Sequence, residues 1–165
     1  MSDLQRLTTE YIDSEDRIRL TGQEGDGQTV VLWLTRRLLD RLIPHLTLWL
    51  ERQHVDLPRA ATLLEFAQQQ AHGQLIPQAP IRTGNLPGQL VNAVDITPGK
   101  EQIRLAFKPV SGNPAGVHFE ELPLRQWLAI LHQTYLTAQW PVDSWPAWMA
   151  GAAVPAAGAP NLVWH

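Results

Sequence analysis

The chain has 165 residues, no cysteine, a formal net charge of -3, 44% hydrophobic and 18% charged residues. That length suits one domain, or two halves sharing one core, built without disulfides or metal. The missing thiols exclude disulfide scaffolds, cysteine zinc sites and thiol catalysis, and the charge gives no global pull toward nucleic acid or acidic membranes. The opening MSDLQRLTTE has no basic start followed by an apolar core, and no apolar run approaches the roughly 20 residues of a membrane span. The expectation is a soluble, cytoplasmic protein that does not enter a membrane.

In chain order, Leu7 to Ile12 and the alternating Arg17-Ile18-Arg19-Leu20-Thr21 read as two strands joined at Asp13-Ser14-Glu15. Gly25-Asp26-Gly27 is a turn signal, and the β-branched and aromatic run Val30 to Leu34 reads as a third strand. Thr35 suits a helix N-cap. Beyond it Leu38, Leu39, Leu42, Ile43, Leu46, Trp49 and Leu50 recur at helical spacing, predicting a helix to about Gln53 with a bend at Pro44. Leu57 to His72 carries a weaker apolar stripe and reads as a second helix, and residues 73 to 88, with their prolines and glycines, as a connecting loop.

The first order then returns. Strands are predicted over Gln89 to Thr97, Gln102 to Lys108 and Gly116 to Phe119, followed by a helix from about Glu121 to Trp140 that Pro141 closes. Laid on itself with a shift of 85 residues, the chain matches Ile18-Arg19-Leu20 to Ile103-Arg104-Leu105, Gly27 to Gly112, Leu39 to Leu124 and Leu46 to Leu131. The expected fold class is therefore α+β, an antiparallel sheet built from two β-β-β-α halves, 5–53 and 89–140, joined by 54–88. The pattern fits an internal duplication, and equally two similar meanders. The tail, 141–165, holds Trp145, Trp148, Met149 and Trp164, too much aromatic surface to leave in water. It is expected to be ordered and to pack on its own domain or on a partner.

Catalytic signals are few. Glu51 and His54 near the helix end, with Asp56 beyond, resemble a ligand spacing but lack further ligands, and read as solvated groups. His118-Phe119-Glu120 matches part of the zinc-deaminase pattern without the cysteines that pattern needs. No phosphate-binding glycine loop or serine elbow is present. Nothing in the motifs calls for a metal or a cofactor.

The alternation of the strands carries more. If Ile18, Leu20, Leu32, Leu34, Ile103, Leu105, Val117 and Phe119 face the helices, then Arg17, Arg19, Val31, Trp33, Arg104, Lys108 and His118 face away, on a basic and partly aromatic surface. Covered by the tryptophan-rich tail, that surface is framework. Left open, it suits a protein partner or self-association. The leading expectation is a non-enzymatic interaction or assembly protein that uses Arg19, Trp33, Arg104, His118, Trp145, Trp148 and Trp164. Two alternatives are a ligand-binding protein or enzyme with an anion-recognising pocket at Arg19, Arg104 and His118, and a nucleic-acid module on the basic face, which the negative net charge disfavours.

Overall fold

In a computed structural model that describes residues 1–54, 60–150 and 163–164, the strands form two antiparallel meanders. The first comprises β1 (Ser2–Ile12), β2 (Arg17–Glu24) and β3 (Thr29–Leu34). The second comprises β4 (Gln89–Pro98), β5 (Gln102–Pro109) and β6 (Ala115–Glu120). Local chemistry sets the turns. Asp16 takes the left-handed conformation after the single 3-10 turn Asp13–Glu15, and its carboxylate accepts from the Tyr11 hydroxyl at 2.7 Å and from Trp140 Nε1 at 2.9 Å. Between β2 and β3, Gly27 sits at φ 90, a conformation that costs glycine little.

The sheet departs from the antiparallel expectation at two places. β3 runs parallel to β4 through Leu32↔Gln89 and Trp33↔Leu90, and β6 runs parallel to β1 through Ala115↔Ser2 and Gly116↔Asp3. The six strands therefore close into a continuous ring. The helical crossover after β3 returns the chain beside β3 in the same direction, which only parallel pairing accommodates. Within the two hairpins the registers agree with the 85-residue shift: Ile18↔Leu34, Arg19↔Trp33 and Leu20↔Leu32 correspond to Ile103↔Phe119, Arg104↔His118 and Leu105↔Val117.

Helices fill one face of the ring. α1 (Arg36–Arg52) starts at Thr35, whose hydroxyl accepts from the Leu38 amide at 3.2 Å, and it remains helical through Pro44. α3 (Glu121–Ala138) ends at Gln139, left-handed at φ 59. α1 packs on β4, and α3 on β1 and β6, so each long helix reaches the first strand of the opposite meander. The eight strand residues expected to face the helices are all buried, against Leu39, Ile43, Leu46 and Leu50 of α1 and Leu124, Trp127, Leu128 and Tyr135 of α3. Each large apolar side chain removed from water this way contributes about 1.5–3 kcal/mol. Trp127 stacks on Phe119 at 5.2 Å and donates to Thr9 Oγ1 at 3.1 Å, joining α3 to the neighbouring strands β6 and β1.

α2 (Ala60–Gly73) lies against α3, and the short α4 (Ala147–Ala150) against α2. Trp140, Trp145, Trp148 and Met149 are buried in the main core. Beyond Ala150 only Val163–Trp164 is described. It forms β7, pairing antiparallel with Leu7 and Thr8 of β1. No helix among the described residues is long and apolar enough to cross a membrane.

Candidate functional site: the outer face of the sheet

The face turned away from the helices carries the residues that strand alternation singles out, in two separate pairs. Arg19 and Trp33 are cross-strand neighbours on β2 and β3, and Arg104 and His118 on β5 and β6. Either way round the ring, two strands separate β2 from β5, or about 14 Å at roughly 4.8 Å per strand. The two pairs therefore form two patches.

The first patch is engaged. One Glu10 carboxylate oxygen accepts from Arg19 Nε at 3.1 Å and Nη2 at 2.5 Å, with both side chains largely shielded from water. The Arg17 guanidinium lies 4.8 Å above the Trp33 ring while pairing with Glu15 at 2.7 Å. Against Trp33 lies the backbone of Gly88, so closely that a Cβ there would come within 2.1 Å of the indole nitrogen. The rest of the cover comes from the same connection. Ile81 is buried and its amide donates to Thr8 Oγ1 at 2.9 Å, while Arg6 Nη2 donates to the Ala79 carbonyl at 3.2 Å. Beneath it Thr8, Thr21 and Val31 are buried although they point away from the helices. Among the described residues, the cover over this face is the 73–88 connection; most of the tail expected there lies outside the described residues.

The second patch is open. His118 is exposed, and Arg104 is half-buried. Arg104 Nη2 points at the Met1 sulfur at 3.6 Å, a weak acceptor, and its Nε is buried with no hydrogen-bond partner among the described residues. Lys108 and Asp95 pair at 2.7 Å with both side chains in solvent. A guanidinium with unused donors beside an imidazole can take a carboxylate or another anionic group.

The predicted tryptophans lie elsewhere. Trp145 packs edge-on against Tyr135 at 5.4 Å and His132 at 5.0 Å, and Trp148 donates to Glu51 at 3.1 Å. Burial lowers the pKa of His132 and, with help from the Asp40 carboxylate that accepts its hydroxyl, raises that of Tyr135. Trp164 is described by its backbone pairing alone.

One polar cluster escaped the sequence reading. Arg125, almost wholly buried, donates from Nε to Glu121 at 3.1 Å and from Nη1 to Gln68 at 3.4 Å, with Nη2 at 3.3 Å from His54 Nε2 and its guanidinium 5.7 Å from the Trp148 ring. Gln68 returns a bond to the Arg125 carbonyl at 2.8 Å. Loss of water around the guanidinium lowers its pKa, and Glu121 opposes that shift. His54 also lies 3.3 Å from Glu121. Glu51 and His54 are therefore partners in a junction of α1, α2, α3 and α4, where solvated groups were expected; Asp56 lies outside the described residues. The available signal was the Glu121 to Arg125 spacing of four in an otherwise apolar helix. No group of three side chains suited to a metal occurs among the described residues.

Comparison with protein-family models, with curated proteins and with solved structures finds no match to this chain.

Proposed function

We propose that this is a non-enzymatic interaction or assembly protein whose anchor for a protein partner is the outer face of the second meander, centred on Arg104 and His118. One observation carries the reading: the half-buried Arg104 meets only the weak Met1 sulfur acceptor through Nη2 and leaves its Nε without a partner among the described residues, next to an exposed imidazole, while the corresponding Arg19 is bound to Glu10. Trp33 and Arg19 form a secondary patch beneath the 73–88 connection. Trp145 and Trp148 serve by holding the layer of helices behind the sheet, and Trp164 through the strand added to β1.

The test is affinity purification with the intact chain and with a chain carrying Arg104→Ala and His118→Ala, each retained protein being quantified. A partner held by the first and lost from the second supports the reading; identical retained sets refute it. The anion-pocket alternative has weaker support, because Arg19 is neutralised by Glu10 and lies about 14 Å round the sheet from Arg104. The duplication of the two halves is supported by the shared hairpin register. Relatives in which the positions paired as Arg19–Trp33 and Arg104–His118 bear no likeness between halves would sink it.

A further inference from the structure

β1 and β4 are the first strands of their meanders, and each has one edge paired along its length, to β2 and β5 respectively. Their other edges differ. On β1 that edge takes β6 at Ser2 and Asp3 and β7 at Leu7 and Thr8. On β4 it takes β3 at Gln89 and Leu90, and beyond Leu90 no strand among the described residues pairs with it. Exposure follows the same division: Thr8 and Thr9 are buried, whereas Asn92, Ala93, Asp95, Thr97 and Pro98 are exposed. Backbone amides and carbonyls along such an edge remain a template for a further strand.

Chains blunt free edges with charge, proline or a bulge. Here a register shift between Val91 and Ala93 and the proline at position 98 sit at the two ends and bound the free run to Ala93–Thr97. Asp95 is the one charged residue within it, and Lys108 of β5 already matches that charge at 2.7 Å. Val94 and Ile96 pack on the core, so the strand stands in place before any partner arrives.

We propose that β4 pairs edge to edge with β4 of a second copy of this chain, the strands antiparallel about a twofold axis near Val94. Antiparallel pairing of one strand with itself is isologous and closed, so it stops at a dimer, and both edges are supplied by the same sequence. With the axis at Val94, Asp95 falls opposite Ala93 of the other copy and like charges do not meet. The edge is a different surface from the Arg104 and His118 patch, and a partner bound at that patch leaves it free.

The test is light-scattering mass of the full chain over a dilution series, with hydrogen exchange of the β4 amides followed in parallel. The expected mass is twice 18.5 kDa at high concentration, falling toward 18.5 kDa on dilution as the Ala93–Thr97 amides lose protection. Ala93→Lys combined with Asp95→Lys places like charges on both strands at exposed positions and gives a monomer whose circular dichroism spectrum is that of the folded parent chain. A chain that stays at 18.5 kDa throughout overturns the proposal. So does a dimer whose β4 amides exchange quickly at every concentration, or one that survives the double substitution. Since the Arg104→Ala and His118→Ala variant keeps the dimer if the edge is responsible, failure here is distinguishable from failure of the partner reading.

Discussion

The two meanders share strand order, hairpin register and the way each is capped by a long helix, yet their outer faces have opposite fates. Over the first, the 73–88 connection lies on Thr8 and Trp33, Val31 is buried, and β7 adds to the edge of β1. Over the second, Ala93, Asp95, Lys108 and His118 stand in water. Positions related by the shift explain part of the difference: Val31 corresponds to Gly116 and Thr21 to Ala106, so the second face has little side chain for a cover to grip. Exposure here is decided by where the connecting chain is spent, and topology alone does not predict it.

The contrast breaks most visibly at its buried end. Val31→Asp puts an unpaired carboxylate under the connection and is expected to cost about 3 kcal/mol or more, whereas Ala93→Asp on the open face stays within about 0.5 kcal/mol; denaturant unfolding of both variants checks this. Gly88→Ala forces the Trp33 ring aside, at a cost of about 1–3 kcal/mol with a change in tryptophan fluorescence. Gly116→Ala meets Asp3 Oδ1 only at 3.2 Å and has a smaller effect on the melting temperature. The layer behind the sheet is tested by pH. His132 and His72 have pKa values lowered by burial, so the folded state resists the proton that the unfolded chain takes up near 6.5. Their stabilising contribution is complete above about pH 6.5 and is lost as pH falls below it; His132→Leu flattens that acid limb in a melting profile. Smallest are the ion pairs: Arg19→Ala costs about 1 kcal/mol, and Lys108→Ala a few tenths, with added salt erasing the second first.

Much of this architecture is legible in the residues. Alternation in Arg17 to Thr21 and Gln102 to Lys108 places the buried and outward positions correctly, because a strand has one period and the core enforces it. Thr35 marks the start of α1, and Gly27 its turn. What escaped depends on contacts between segments far apart in sequence. Nothing in Ser2-Asp3 announces a parallel junction with Ala115-Gly116, since two residues carry too little pattern to name a partner. The placing of Ile81 and Gly88 over Thr8 and Trp33 is a property of a loop's path. Arg125 looks like a surface residue until α2 and α4 close over it. The open patch at Arg104 and His118 was reachable from the sequence, but its difference from Arg19 and Trp33 was not.

Ring closure also has a consequence in time. Ser2 has no β6 to pair with until Ala115 has been made, and Leu7 and Thr8 wait longer still, for Val163 and Trp164. A chain emerging from the ribosome can form the first meander and its helix early, but it must carry the far edge of β1 unpaired until those residues emerge. Contacts of such long sequence separation slow folding, and residues made long after the first strand are among those that complete it.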